Sequence, residues 1–501
     1  MSGHSRCFPF LLCLVLVAGG ACSGRGSTAT ATGQPTATTT IIVGATAAAS
    51  SATTSAVAAA SPTAFTASPT AVPSPIITPV ATPAPSEASW PTYDHDPARS
   101  GAGPTEPALG QPHRAWTSSD LDGEVYGQPL VLSGRVVVAT ENDSVYALDA
   151  ASGAVAWRAN FGAPVPRSAL PCGDIDPTGI TGTPVFDPST GLVLAVAFLQ
   201  PGHHELYALD AATGAVKFHR AIDPPGANPI VEQQRAGLVL ANGRVYVAYG
   251  GLWGDCGPYH GWVVGVPADG SDAMVNYQVP SGRAAGIWAP PGPTVDASGD
   301  LFVVTGNSDS TAQFDYGNAV IRLTPDLKVV DWFAPTDWAA LNRSDRDLGS
   351  LSATLLDGGR VFTAGKSGQG YVLDARHLGQ VGGQVYSAGV CSGAYGGAVY
   401  RAPDLYVPCL NGIAALRVGS DGHFTVAWHG PAGAAGSPIL AYGALWTIDW
   451  QGATLYALDP SSGSVRFSAP LGTVMHFVSP SAADGHVYVP AGRTIIAFKV
   501  S

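Results

Sequence analysis

Short apolar runs, each followed by a polar turn, recur along the chain. Arg135–Ala139 reads Arg-Val-Val-Val-Ala and Arg244–Ala248 reads Arg-Val-Tyr-Val-Ala. Short runs rich in β-branched and aromatic residues and bounded by turn residues are typical of strands rather than helices. The pattern therefore predicts an all-β chain built from many short strands.

The turns after several of these runs repeat one motif. It occurs at Tyr146–Trp157, Tyr207–Phe218 and Tyr456–Phe467, each with Ala-Leu-Asp after the Tyr, then Ser or Thr, Gly, and a final aromatic residue. The Asp and the Ser or Thr can hydrogen-bond the turn backbone, and the Gly can adopt a positive φ. We expect the start of the motif to end one strand and its aromatic residue to begin the next strand and pack between sheets.

Weaker copies of the unit fill the rest of the chain. They centre on Trp262–Tyr277, Ala319–Trp332, Tyr371–Gln380, Ile413–Trp428 and Thr494–Lys499, which brings the total to eight units. Repetition of this kind predicts an array of similar blades. The last unit ends at Ser501 without an outer strand, and Arg114–Ser118 can supply that strand and close a ring without free sheet edges.

The composition agrees with this organisation and excludes one class of partner. The 501 residues include 62 Gly and 41 Pro, and only 12% are charged, as expected for many strands joined by tight turns. The net charge is −12 and no basic stripe occurs, so duplex nucleic acid is not an expected partner. We expect the protein to be a monomer.

The N-terminal segment has the features of an export signal and a tether. Residues 1–22 contain a short apolar run, Phe8–Val17, and then small residues that lead to Cys22. This end resembles a bacterial lipobox, which implies a lipidated Cys22 at the outer face of the cell membrane; an ordinary secretory signal is the alternative. Residues 23–88 are almost entirely Thr, Ala, Ser, Pro and Gly, which predicts a disordered linker before a folded domain at residues 89–501.

Cysteine usage agrees with export. Apart from the cysteines of the first 22 residues, the chain has four: Cys172, Cys256, Cys391 and Cys409. Four cysteines allow three pairings. We favour Cys391–Cys409, which flanks one strand–turn unit, and Cys172–Cys256, which could tie neighbouring blades. No Cys-x-x-Cys spacing occurs, so neither a zinc site nor a c-type haem site is expected.

The repeated motif resembles the docking motif of eight-bladed propellers of the pyrroloquinoline quinone (PQQ) type. Trp90–Gly101 resembles the segment that enters the ring in many members. The resemblance covers about residues 89–501 and implies an eight-bladed β-propeller of four-stranded antiparallel blades. The superfamily includes quinoprotein alcohol and polyvinyl-alcohol dehydrogenases and also the non-enzymatic lipoprotein that assists outer-membrane protein assembly. The resemblance therefore indicates the fold more strongly than the function.

One segment resembles the part of the dehydrogenases that lies beneath PQQ. It contains Gly286-Ile-Trp288 and, further on, Leu301–Asn307. The resemblance implies that Trp288 stacks against PQQ and that Asn307 is a calcium ligand. Stacking on an indole face suits a planar tricyclic cofactor. The alternative is a Trp of the blade core and an Asn of a turn.

Two further segments resemble parts of the same site. Asp345–Ser350 resembles the Asp-x-Asp-Phe-Gly segment of polyvinyl-alcohol dehydrogenases, which implies Asp347 or Asp345 as the catalytic base and Asp347 beside the calcium. Gly365–Gly368 resembles the segment with the quinone-binding Lys, which implies that Lys366 binds PQQ. The alternatives are a solvated loop of mixed charge and a Lys at a strand end.

Other features depart from the dehydrogenase pattern. Gly250–Trp262, the stretch where dehydrogenases carry an acidic calcium ligand, contains no Glu, and Asp255 is its only carboxylate. Calcium prefers several hard oxygen ligands, so this loss lowers the expected affinity. Adjacent cysteines are absent, and without a haem motif the electrons of an oxidation would need an external acceptor.

Two hypotheses follow from the sequence. The first is a surface-tethered binding or scaffold propeller whose axial face binds a protein, a glycan or a small molecule. The second is a PQQ- and calcium-dependent dehydrogenase that oxidises an alcohol outside the cytoplasm. Convergence of Trp288, Asn307, Asp347 and Lys366 in one pocket would favour the second.

Overall fold

The computed structural model describes residues 89–271 and 273–501, which form an eight-bladed β-propeller. The predicted signal segment, the linker and Cys22 lie outside the described residues. None of the helices in the described part of the chain is long and apolar enough to cross a membrane.

The strands follow one another blade by blade. Strand β1 (His113–Thr117) precedes the first blade, which comprises β2 (Leu130–Leu132), β3 (Arg135–Thr140), β4 (Ser144–Asp149) and β5 (Val155–Asn160). The second comprises β6 (Val185–Asp187), β7 (Leu192–Leu199), β8 (His203–Asp210) and β9 (Val216–Ala221). The third comprises β10 (Glu232–Gln233), β11 (Val239–Ala241), β12 (Arg244–Gly251), β13 (Trp262–Pro267) and β14 (Val275–Gln278).

The next three blades continue the series. The fourth comprises β15 (Thr294–Val295), β16 (Leu301–Val304), β17 (Val320–Leu323) and β18 (Val329–Ala334). Helix α1 (Trp338–Arg343) then precedes the fifth, which comprises β19 (Thr354–Leu356), β20 (Arg360–Ala364), β21 (Gln369–Asp374) and, after β22 (Gln380–Val381), β23 (Tyr386–Gly389). The sixth comprises β24 (Val399–Arg401), β25 (Asp404–Cys409), β26 (Gly412–Val418) and β27 (Phe424–His429).

The last two blades complete the ring. The seventh comprises β28 (Ile439–Ala441), β29 (Ala444–Asp449), β30 (Thr454–Leu458) and β31 (Val465–Pro470), and the eighth contains β32 (Ser481–Ala483), β33 (His486–Ala491) and β34 (Thr494–Lys499). Strand β1 pairs antiparallel with β34, with His113 opposite Lys499 and Thr117 opposite Ile496. The predicted closure by the N-terminal strand is therefore confirmed, and it protects the outer edge of β34.

The repeated motif forms the predicted turn and also joins neighbouring blades. Asp149, the last residue of β4, accepts hydrogen bonds from the backbone N–H and the hydroxyl of Ser152. The aromatic residue that follows, Trp157, donates from Nε1 to the carbonyl oxygen of Ala211, 3.1 Å away in the equivalent turn of the second blade. Its ring packs against Gly214 of that turn. One sequence unit thus shapes a turn and contacts the same unit of the next blade.

Two sheets depart from the predicted four strands. In the third blade, β10 and β11 both pair with β12, and in the fourth β22 joins β18 in parallel. The unit predicted at Tyr371–Gln380 is correct for its first strand, β21, but Gln380 belongs to the edge of the fourth blade. The outer strand of the fifth blade is β23, because the chain detours to the neighbouring sheet before it returns.

The core lies between blades, where the first strands are buried and the fourth strands face solvent on one side. The entry segment, residues 90–103, crosses the axis of the ring. It hydrogen-bonds residues in or beside the first strands of five blades, at Val131, Phe186, Leu238, Val295 and Leu440. These blades lie on different sides of the ring, so the segment ties them together at the centre.

Both predicted disulfides form. Cys172 in the β5–β6 connection pairs with Cys256 in the β12–β13 turn, and their Cα atoms are 6.0 Å apart. Cys391 pairs with Cys409 at the end of β25, with a Cα–Cα distance of 6.3 Å. The first disulfide links segments of different blades, as expected.

Candidate functional site

A cavity of about 660 Å³ opens on the axial face of the propeller. It is lined by turns between the second and third strands of blades, which contribute Trp253, Lys366, Leu410 and Trp450, and by connections between blades. Loops from so many blades can meet only near the axis. The wall has a mixed character, with six aromatic side chains, four aspartates and three basic side chains.

The cavity contains four of the five residues that the sequence singled out. Trp288, Asp345, Asp347 and Lys366 all line it. Asn307 is half-buried and is not among the lining residues, but its backbone N–H donates to Asp347 Oδ1 at 2.6 Å. The motif segments therefore converge, although they come from connections that are far apart in the chain. The catalytic and binding roles assigned to these residues stay predictions.

An ion pair between Asp347 and Lys366 is the centre of the charged part of the wall. Lys366 Nζ lies 2.7 Å from Asp347 Oδ2 and 2.9 Å from Asp345 Oδ1. Asp347 is buried, whereas the side chain of Asp345 is 65% exposed. Burial raises the pKa of Asp347, opposed by Lys366 and by the Asn307 N–H. Burial alone would lower the pKa of Lys366, but the two carboxylates raise it, so the side chain is an ammonium ion.

Buried amide side chains hold this segment in place. Leu348 N–H, next to Asp347, donates to Asn318 Oδ1 at 2.6 Å, and Asn318 Nδ2 donates to Asn342 Oδ1 of helix α1 at 2.8 Å. The backbone N–H of Lys366 donates to the carbonyl oxygen of Asp347 at 2.8 Å. These bonds fix both ends of the ion pair to the scaffold, so the two side chains face the cavity from rigid backbone.

Aromatic rings form the other part of the wall. The half-buried Trp288 ring has Tyr395 and Phe477 at centroid distances of 6.3 Å each. Tyr395 and Phe477 are nearly parallel to each other, 5.6 Å apart. Lys366 Nζ lies 5.8 Å and Arg235 Cζ 5.9 Å from the Trp288 centroid, within the range of cation–π attraction. A flat, electron-rich or anionic molecule matches such a wall.

Arg235, Tyr395, Trp450 and Phe477 were not singled out from the sequence. Arg235 lies in a loop of the third blade and Trp450 in a turn of the seventh. Tyr395 lies in the connection from the fifth to the sixth blade, and Phe477 in the connection from the seventh to the eighth. No local motif marks these four residues. These residues are far apart in the sequence, and only closure of the ring brings them together. The cavity wall itself could be inferred from the fold, but its composition could not.

The donor set does not fit the calcium ion that the resemblance implies. Both oxygens of Asp347 are engaged, by Lys366 and by the N–H of Asn307. Among the described residues, no group of three or more His, Cys, Asp or Glu side chains is placed to hold a metal ion. Asp255, the only acidic residue of Gly250–Trp262, lines the cavity but accepts a 2.5 Å hydrogen bond from the Tyr259 hydroxyl.

These features define an eight-bladed β-propeller with an aromatic, charge-lined axial cavity, and its repeats resemble those of PQQ-type propellers. The family model described as outer membrane protein assembly factor BamB matches residues 114–250. A comparison with curated protein sequences finds no match.

Solved structures agree on the fold. The quinohemoprotein alcohol dehydrogenase ADHIIG from Pseudomonas putida HK5 has a TM-score of 0.65 and 16% identity, over 83% of this chain and 80% of that one. A europium-containing methanol dehydrogenase has a TM-score of 0.63 and 16% identity, over 81% and 90%. BamB from Moraxella catarrhalis has a TM-score of 0.52 and 15% identity, over 78% and 99%. Both dehydrogenases and an assembly factor share this architecture.

Proposed function

We propose that the protein is an exported, lipid-anchored propeller that binds a planar, anionic small molecule in its axial cavity. PQQ is the first candidate because the relatives in fold include quinoprotein dehydrogenases. The observation that carries the proposal is the half-buried Trp288 ring in a cavity of about 660 Å³, with two cationic side chains within 6 Å of it.

The cavity offers the two interactions that such a ligand needs. Stacking against Trp288 buries a flat face, and aromatic stacking adds about 0.5–1.5 kcal/mol beyond the burial itself. Cationic side chains next to the ring attract negative charge at the ligand edge. The binding does not require calcium, because Asp347 is neutralised by Lys366 instead of by a metal ion.

Calorimetric titration of the purified protein with PQQ, in EGTA and in calcium, tests the proposal. We expect saturable binding in both buffers and a loss of about tenfold in Trp288→Leu, because the smaller side chain removes the stacking face and part of the contact area. Trp253→Leu is the control, because Trp253 lies at the mouth of the same cavity and is 63% exposed. Equal losses in the two variants, or no binding by the wild-type protein, would contradict the proposal.

Attachment to the membrane rests on the lipobox-like end of the signal segment. We expect the mature protein in the membrane fraction and a Cys22→Ser variant in the soluble extracytoplasmic fraction. Mass spectrometry of the N-terminal peptide measures the lipid directly. A wild-type protein that is already soluble after export would leave an ordinary secretory signal as the explanation.

A PQQ-dependent alcohol dehydrogenase is the second candidate, favoured by the convergence of Asp347 and Lys366 beside Trp288. PQQ would supply a two-electron quinone oxidant, and an external acceptor would then take the electrons. In this second reading Asp347 would accept the hydroxyl proton of an alcohol, and Lys366, whose Nζ lies 2.7 Å from Oδ2, would hold that carboxylate in position. We expect Asp347→Asn to bind PQQ but to lose turnover in a dye-linked alcohol screen. Retained turnover would exclude this role.

A further inference from the structure

The first disulfide borders the mouth of the axial cavity. Cys172 lies two residues before Asp174 in the β5–β6 connection, and Cys256 directly follows Asp255 in the β12–β13 turn. Asp174 and Asp255 both line the cavity, as does Trp253 in the same turn as Asp255. This disulfide, which we call the rim disulfide, therefore joins two segments of the cavity wall that come from different blades.

The rim disulfide is the main connection between these two segments. Within the part of the chain that the structure describes, no hydrogen bond or ion pair joins residues 163–178 to residues 251–258. The segments otherwise meet in a small apolar cluster that contains Leu170 and Leu252. Cleavage of the disulfide would therefore leave the two segments held together by apolar contacts alone.

Each segment is held in shape by bonds that do not depend on the disulfide. In the first segment, the Arg167 guanidinium donates from Nη1 to the carbonyl oxygen of Leu170 at 2.9 Å and from Nε to that of Gly173 at 2.8 Å. In the second, the carbonyl oxygen of Gly257 accepts a 2.8 Å hydrogen bond from Arg283 Nε. Cleavage would thus free the two segments from each other without unfolding either, which is a local opening of the kind that surface loops undergo.

The second disulfide, Cys391–Cys409, offers a matched comparison within the same molecule. Its neighbours Ser392 and Leu410 also line the cavity. Here, however, hydrogen bonds already join the two segments. Leu410 N–H donates to the carbonyl oxygen of Gly393 at 3.0 Å, and the Ser392 hydroxyl donates to Asn411 Oδ1 at 2.9 Å. Loss of this disulfide should therefore leave its two segments in place.

The rim disulfide is also the more accessible of the two. A thiolate must approach a sulfur atom to break a disulfide, so the rate of exchange depends on access. Cys172 and Cys256 are both half-buried, whereas Cys409 of the second disulfide is 2% exposed. A reductant in solution therefore reaches the rim disulfide first.

We propose that the rim disulfide is a redox-controlled latch of the axial cavity, opened by a dithiol reductant. One thiolate of the reductant attacks a sulfur of the disulfide to form a mixed disulfide, and the second thiol of the reductant resolves it. The reductant leaves as a disulfide, and the protein gains two electrons and two protons as the thiols of Cys172 and Cys256. The two segments then separate, and a ligand in the cavity dissociates faster. The faster dissociation rests on the proposed small-molecule binding, whereas the opening of the rim does not need a ligand.

Reduction and hydrogen exchange test the latch without a ligand. The purified protein is treated briefly with dithiothreitol and then with iodoacetamide, and peptide mass spectrometry measures alkylation. We expect Cys172 and Cys256 to be alkylated about tenfold faster than Cys409. In the double variant Cys172→Ser with Cys256→Ser, amide exchange of residues 167–176 and 252–257 should rise about tenfold. The control, Cys391→Ser with Cys409→Ser, should leave exchange of its own segments within about twofold, because their hydrogen bonds remain.

Stopped-flow tryptophan fluorescence with PQQ as the probe tests the effect on the cavity. We expect PQQ to dissociate about fivefold faster from the rim variant, and at the wild-type rate from the control variant. Equal alkylation rates, unchanged amide exchange in the rim variant, or unchanged PQQ dissociation from it would each overturn the latch. If the wild type does not bind PQQ, the proposed function fails, and alkylation and exchange still decide whether the rim opens. If melting temperatures show that the rim variant does not fold, exchange is measured on the reduced and alkylated wild type.

Discussion

The Asp347–Lys366 pair combines a buried carboxylate with a partly exposed ammonium. The Asp347 side chain is 5% exposed and the Lys366 side chain 20% exposed. Desolvation of both charges offsets much of their attraction, so such a pair adds little net stability. Removal of one partner, however, leaves the other charge buried and unpaired. The pair is better understood as a device that fixes the cavity wall than as a source of stability.

We therefore expect Lys366→Met to lower the free energy of unfolding by about 3 kcal/mol, within the range for breaking a buried pair. Asp345→Asn should cost less than about 1 kcal/mol, because Asp345 is 65% exposed. The double variant Lys366→Met with Asp347→Leu should lose less than the sum of the single losses. Urea denaturation measures all four proteins, and similar losses for Lys366→Met and Asp345→Asn would contradict this account.

Asp94 in the entry segment is a second buried carboxyl group, and Arg99 is the basic residue that acts on it. It is 0% exposed, and neither carboxylate oxygen has a hydrogen bond among the described residues. Burial raises its pKa well above the ordinary range, although Arg99 opposes the rise. An unfolded Asp ionises near pH 4, so this group costs stability at neutral pH.

We expect Asp94→Asn to raise the free energy of unfolding at pH 7 by about 1 kcal/mol or more, because a neutral amide removes the cost of keeping this carboxyl group protonated in the folded protein and each unit of pKa difference is worth about 1.4 kcal/mol. The amide removes the ionisable proton and keeps the shape. Asp96→Asn is the control, because Asp96 lies two residues away and accepts hydrogen bonds from the Ser100 N–H and hydroxyl. Urea midpoints at pH 7 should rise for the first variant and not for the second. Equal shifts of the urea midpoint in the two variants would show that loss of a negative charge from the entry segment, rather than burial of Asp94, changes the stability.

The sequence predicted only some of the residues that line the axial cavity. Trp288, Asp347 and Lys366 lie in motif segments, so their convergence followed from the resemblance once the ring closed. Asn307, predicted as a calcium ligand, does not line the cavity, and its backbone N–H donates to Asp347 Oδ1. Arg235 and Phe477 could not be found, because no motif surrounds them and their meeting depends on the geometry of the whole ring.

At the scale of elements, the docking of one blade on the next depends on the turn motif. The Trp157 ring packs on Gly214, whose φ is +74°, and an added Cβ there would lie 2.6 Å from the ring. The turn motif could be predicted from the sequence because each of its positions is determined locally, either by a hydrogen bond within the turn or by a positive φ. The pairing of β22 with the fourth blade could not be predicted, because it depends on contact with another sheet and not on the local sequence.

We expect Gly214→Ala to cost more than Gly243→Ala, its matched control. Gly243 has a similar φ of +71° but no atom within 4 Å of an added Cβ. Both variants carry the backbone strain of about 1–3 kcal/mol, and only the first adds an overlap with a ring, worth about 1–3 kcal/mol more. Urea denaturation should show the difference. Equal costs would mean that the ring adapts and that the contact does not fix blade spacing.

At the scale of the whole molecule, burial sets the dependence of stability on pH. Burial raises the pKa of Glu141 to about 8, of Asp143 to about 9 and of Glu232 to about 8. Each keeps a carboxylate oxygen without a hydrogen bond among the described residues. The same groups ionise near pH 4 in the unfolded chain, so the native state binds more protons up to about pH 8.

Stability should therefore fall as the pH rises from 6.5 to 8. Below pH 6.5 the buried His476, whose pKa is lowered to about 3, opposes the trend because the unfolded state then binds its proton. Urea denaturation at several pH values measures the slope. Glu232→Gln should reduce it by about 1.4 kcal/mol per pH unit, the value for one proton. A slope that is flat in the wild type, or unchanged in Glu232→Gln, would mean that these carboxyl groups are ionised in the folded protein and that water or an ion compensates them.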